Sequence, residues 1–138
     1  MRLQVHFDLG QPVYAQIMDQ IKAAAASGAL RPGEPLPGIR PLAEELRINR
    51  NTVAKAYLEL EREGVIETRA GKGCFLRNGQ PRLLKSARTE ALLPLVDAVV
   101  VQAHHLQVSD AEVLKLVQSR LDHFLSARHS VQPAEATP

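Results

Sequence analysis

The stretch Arg50-Asn51-Thr52-Val53-Ala54-Lys55 gathers several kinds of hydrogen-bond donor within two helical turns. An arginine fork can span both acceptors on the major-groove edge of guanine. An asparagine amide can pair in the same way with adenine, and a threonine can set its methyl against thymine or its hydroxyl on phosphate. Lys55 is a flexible point charge, better suited to holding a phosphate than to telling bases apart. Together, Arg50, Asn51, Thr52 and Lys55 have the chemistry needed to read a polyanion with base edges. That chemistry works only if a rigid element carries the donors into a groove.

The surrounding sequence supplies such an element. Asn49 is a good helix cap, because its side-chain oxygen can take a free N–H two or three residues on. Val53, Tyr57 and Leu60 give the helix of residues 50–63 a buried stripe, with Gly64 ending it and Lys55 and Glu59 on the exposed face. Before it, residues 39–46 read as a short helix with Pro41 in the first turn and Leu42, Ala43 and Leu46 inward; Arg47-Ile48-Asn49 makes the tight turn between the two. A first helix is expected to begin at Pro12, with Val13, Ile17, Ile21 and Ala25 on its apolar face beside Tyr14 and Met18, and to stop at Gly28. The stretch ALRPGEPLPG at residues 29–38 is too rich in proline and glycine for a helix and too irregular for a strand, so a rigid loop is expected. After Gly64, two short strands carry Val65 and Ile66, then Cys74, Phe75 and Leu76, around a turn of Arg69, Gly71, Lys72 and Gly73. Three helices followed by a hairpin make a winged helix-turn-helix, and the fold expected is mainly α with a small β-hairpin.

Residues 77–86 read as a linker. Beyond it Leu92, Val96, Val99, Ala103 and Leu106 recur at alternating spacings of four and three, with Pro94 expected in a first turn or at a kink. Ser109 caps a last helix, and Glu112 can complete a capping box. Leu114, Val117, Leu121 and Phe124 then continue the seam. Two short helices have little to bury these seams against except a second copy of the chain. The expected division is residues 1–77 as a DNA-binding domain, 78–130 as a helical pairing region and 131–138 as a frayed, disordered tail.

LPGIRPLAEELRINRNTVAKAYLELEREGVIETRAGKGCFL, with PVYAQIMDQIKAAAASGALRPGEPLPG before it, resembles the DNA-binding region of the GntR family of bacterial transcription regulators over about residues 10–77. The combination is specific: Leu-Pro-Gly before an Arg, Asn-Thr-Val in the third helix, Leu-Glu-Arg-Glu-Gly at its end, and a Gly-Lys-Gly wing. The resemblance implies that Arg40 contacts phosphate or a base and that Arg50 is the main base reader, with Asn51 and Thr52 on the next two contact positions. It places Gly71, Lys72 and Gly73, with Arg69 beside them, on a wing that approaches the minor groove. The chain departs from the family at Arg47, where glycine is common, at Ala54, where a basic residue is common, and at Gly38, where serine is frequent. About sixty residues remain after the wing, too few for the larger effector-binding or enzyme-like domains of the family. A short two-helix appendage is similar to the YtrA-type subfamily, whose helices pair two chains and whose members commonly control transporter genes.

Charge agrees with this division. Residues 31–88 hold twelve Lys/Arg against seven Asp/Glu, a net of +5; residues 89–138 hold three against six, a net of −3. A basic middle beside an acidic end fits a polyanion-binding unit and a separate partner-binding unit, and from charge alone equally fits a chance fluctuation on solvated faces. Scarce aromatics, five with no Trp, favour a helical core of Leu, Val, Ile and Ala. No apolar run approaches a membrane span, the N-terminus carries no secretory pattern, and the lone Cys74 has no internal disulfide partner, so a cytoplasmic protein is expected. No nucleophile triad, phosphate loop or zinc spacing is present; an enzyme is not expected, nor a cofactor. Adjacent His104 and His105 diverge by about 100° on a helix and cannot chelate one metal as a pair. The expectation is thus a homodimeric, sequence-specific regulator of transcription, a repressor, with double-stranded DNA as partner and a small-molecule effector left open. Two rivals stand beside it: a winged helix used as a protein-interaction module, and a metal or redox sensor built on His104, His105, His123 or Cys74.

Overall fold

A computed structural model of the chain describes residues 2–79 and 84–131, with side chains as far as Arg128. The described residues fall into two units: residues 2–79, which hold the winged helix and are grouped with residues 127–131, and residues 84–126, which hold most of a helical hairpin. The first unit holds α1 (Val13–Ser27), α2 (Ile39–Leu46), α3 (Arg50–Arg62) and an antiparallel hairpin of β1 (Ile66–Arg69) and β2 (Gly73–Leu76). Its core is aliphatic. Ile17 and Ile21 of α1, Val53, Ala56 and Leu60 of α3, and Ile66 of β1 have no exposed surface, and Leu42 and Ala43 close the layer from α2. Burial of this kind, rather than helix propensity, is what holds helices as short as α2 in place.

Helix α1 starts one residue later than the sequence suggests. Pro12 has an extended ψ of 147° and is the cap, its carbonyl accepting the N–H groups of Ala15 and Gln16. At the other end Gly28 takes φ 83°, a left-handed conformation that glycine adopts without a steric penalty, and donates to Ala25 O. Among the described residues one polar side chain lies in the core, which the apolar pattern did not disclose. Gln16 is buried, accepting from the His6 N–H and donating to the carbonyls of His6 and Gln11, each at 2.9 Å. With every bond made, burial of the amide carries little penalty, and the residue ties the N-terminal segment to α1.

The proline-rich segment after α1 is more than a loop. Pro35 bridges Phe75, Leu36 N–H donates to Cys74 O, and Leu76 N–H donates to Glu34 O, both at 2.9 Å. The segment therefore lies along β2 as a partial third strand. Proline has no N–H to give a ladder, so the hydrogen bonds to β2 run through Gly33, Glu34 and Leu36 on either side of Pro35. The Tyr57 hydroxyl on α3 donates to Pro37 O at 2.7 Å and fixes the same segment to the core. Burial first, and the nearby Cys74 second, push the Tyr57 phenol well above its ordinary pKa, so it stays a neutral donor.

The turn between α2 and α3 is made by Arg47, left-handed at φ 57° and ψ 48°, whose N–H closes on Ala43 O and Glu44 O. Asn49 then caps α3, its Oδ1 accepting the Asn51 N–H at 2.7 Å. Helix α3 ends at Arg62 with Glu63 as its C-cap. Replacing Asn49 with alanine is expected to cost about 1 kcal/mol of stability, read as a lower midpoint in denaturant unfolding; an unchanged midpoint would contradict the role of the cap.

The helical hairpin is made of α4 (Lys85–His105) and α5 (Asp110–Val131), joined through a left-handed Gln107 at φ 58°. Pro94 lies near the middle of α4 and not in its first turn. A helix this long can forgo the one bond that proline cannot donate. Ser109 Oγ accepts the Glu112 N–H at 3.2 Å, while the return bond that would complete a capping box is not formed. Of the linker expected at 77–86, residues 80–83 lie outside the described residues; of the tail expected at 131–138, all but Val131, the last residue of α5, does so too.

Candidate nucleic-acid interface

Helix α3 presents its two faces to different surroundings. At about 100° per residue, Val53, Ala56, Tyr57 and Leu60 share the buried side, and Asn51 and Lys55 fall on the opposite one. Arg50, Asn51 and Lys55 are exposed, and Thr52 is half-buried with its N–H on Asn49 O at 3.0 Å. The free N–H groups at a helix start and the dipole behind them add attraction for an anion at this end. Lys55 is not a free-swinging charge: its ammonium lies 4.1 Å from the centre of the Tyr14 ring. That cation–π contact directs the charge towards the start of α1, a pairing between distant residues that no local pattern signals.

Arg40, exposed in the first turn of α2, lines one open depression together with Arg47, Glu44 and Arg50. The structure thus brings Arg40 and Arg50 to one surface and adds Arg47, which the sequence marked only as a turn residue.

The wing is tighter than expected. Arg69 and Gly73 are paired strand residues, not parts of the turn, because the Arg69↔Gly73 rung closes β1 on β2. Residues 70–72 form the tip, with Lys72 N–H on Arg69 O at 2.9 Å. Gly71 and Gly73 have φ 74° and 104°, and a Cβ at either would meet nothing within 4 Å. Backbone conformation, not crowding, calls for glycine there. Arg69 pairs with Glu67 at 3.0 Å and lies 4.2 Å from the Phe75 ring centre. Lys72, exposed at the tip, has no ion pair among the described residues.

On the helical hairpin, Leu92, Val96, Val99, Leu106, Leu114, Val117 and Leu121 stand exposed, while Ala103 and Phe124 are half-buried. The apolar surface is wider than a seam: Leu93, Leu95, Val100 and Val101 are exposed as well, and α4 buries no residue. Between the helices, Val99, Ala103, Leu106, Val113 and Val117 line an almost wholly apolar depression of about 380 Å³. His104 and His105 meet edge to face with ring centres 5.4 Å apart, and His123 sets its edge against Phe124. Among the described residues no three His, Cys, Asp or Glu come together as a metal site. Cys74 is half-buried on β2 with Sγ 3.6 Å from Thr68 Oγ1. No described helix is long and apolar enough to cross a membrane.

Comparison with known proteins agrees with this geometry. Residues 13–76 match the bacterial regulatory proteins of the gntR family. The chain is 37% identical to the HTH-type transcriptional repressor YtrA of Bacillus subtilis (strain 168) over 97 residues, covering 70% of this chain and 75% of that protein. A transcriptional antiterminator from Listeria monocytogenes EGD-e superposes with TM-score 0.76 at 32% identity, over 87% of this chain and 90% of that one. The DNA-binding domain of AraR in complex with operator ORX1 matches 55% of this chain and 98% of its own length, with TM-score 0.50 at 26% identity. The chain belongs to the GntR family, among its YtrA-like members, and is a DNA-binding regulator of transcription and not an enzyme.

Proposed function

We propose that the chain acts as a homodimeric repressor that docks two α3 tips into the major groove of a short inverted-repeat operator. One observation carries this reading: exposed donors at the head of a helix whose back is wholly buried. In this reading Arg50 reads a guanine edge, Asn51 an adenine, and Thr52 a thymine methyl or a phosphate. Arg40 and Lys55 hold the backbone on either side, and Arg69, Gly71, Lys72 and Gly73 bring the wing to the minor groove. The exposed apolar faces of α4 and α5 supply the pairing surface, since a broad exposed apolar surface on a helix requires cover. Repression follows the YtrA relative, as does control of transporter genes by the subfamily resemblance; the protein works in the cytoplasm, where its DNA is.

The test is affinity for an operator duplex across a salt series. Six or so phosphate contacts predict a log–log slope of about −5. A flat dependence would instead favour a winged helix that binds protein.

A further inference from the structure

An open depression at the α2–α3 turn gathers three cationic side chains. Arg40 enters it from the first turn of α2, Arg47 from the turn itself, and Arg50 from the first residue of α3, with Glu44 the one acidic residue on its rim. All three arginines are exposed, and none makes an ion pair or side-chain hydrogen bond among the described residues. Three arginines and one carboxylate lining an open concavity give it a net positive charge, which attracts an anion. Arg47 is also the residue with φ 57°, in the left-handed region where glycine or asparagine is the low-energy choice. The chain bears a backbone cost there and places a cation at that point.

We propose that Arg47 is a phosphate-contacting residue that, with Arg40, clamps one phosphodiester of the DNA backbone beside the groove entered by α3. The inference rests on the operator-binding reading above and deepens it. The first helix of a helix-turn-helix crosses the backbone, so a guanidinium at its C-terminal end meets phosphate and not base edges. A planar fork also matches two phosphate oxygens at once. Arg47 therefore adds affinity without sequence preference, whereas Arg50 adds both.

The experiment compares the wild-type chain with Arg47→Gly, Arg47→Gln and Arg50→Ala on an operator and on a scrambled duplex. Arg47→Gly relieves the left-handed strain and is expected to raise the thermal midpoint while weakening both duplexes alike, by roughly ten-fold at ~0.1 M salt, and flattening the salt slope by about 1. Arg47→Gln keeps the strain, loses the charge, and should show the same loss of DNA affinity without the gain in midpoint. Wild-type affinity and slope in both Arg47 variants, with Arg50→Ala impaired, would overturn this proposal and leave the operator reading standing. Loss confined to the operator would overturn it too, by making Arg47 a base reader. Failure of the wild-type chain to bind any duplex would instead sink the operator reading.

Discussion

On the proposed pairing of two chains through α4 and α5, Val99→Glu is expected to leave monomers and to weaken operator binding by roughly 100-fold or more. Val99 belongs to the seam on α4 and lines the apolar depression shared with α5. Its side chain is about half exposed in the single chain, so a carboxylate there is tolerated while water can reach it. In a pairing surface the same carboxylate must be desolvated beside Leu, Val and Ala, where no described cation sits to receive it. Separating the chains removes the second half-site contact, which acts at high effective concentration once the first is made and contributes about 10²–10⁴ in affinity. Sedimentation equilibrium and anisotropy titration on the same sample check both halves. A dimeric, tightly binding Val99→Glu chain would remove α4 from the pairing surface.

Arg50→Ala is expected to cost about 1–3 kcal/mol on the operator and to relax preference at one base pair, with a smaller loss on random DNA. The reason lies in the scaffold. Val53, Ala56 and Leu60 have no exposed surface, so the first turn of α3 is held in a fixed orientation by the core. The substitution touches an exposed side chain and leaves the Asn49 cap intact, so the unfolding midpoint should stay close to that of the wild type. Titrations against a panel of single-base operator variants give the test; equal loss on every sequence would make Arg50 a backbone contact only.

Much of the winged helix was legible because local signals agreed. Asn49 before Arg50, apolar residues recurring after it and Gly64 at its end mark α3, and the observed helix follows them closely. The same holds for Gly28 and Gly71, where glycine sits at positive φ. What escaped was non-local or polar. The strand-like pairing of Pro35 and Leu36 with β2 was hidden because proline reads as a breaker, although the residues between prolines still carry N–H and C=O groups. Gln16 is buried because three backbone groups meet it, and a periodicity of apolar residues has no means of registering that. Lys55 over Tyr14 joins α3 to α1 across the fold. The sequence marks Arg47 only as a turn residue where the family commonly has glycine; that it lines one depression with Arg40 and Arg50 is a product of the fold. On the hairpin the heptad spacing named a narrow seam, but the exposed apolar surface of α4 is wider, because its sequence packs Leu92, Leu93 and Leu95 and then Val99, Val100 and Val101 almost in succession.

The central claim is that two copies of one rigid tip read two copies of one short sequence. Selection of duplexes from a random pool by the purified full-length chain measures this directly. The account predicts enrichment of an inverted repeat whose half-sites lie about one helical turn, ~34–36 Å, apart. Enrichment of a single unrepeated site, or of no sequence at all, would contradict it.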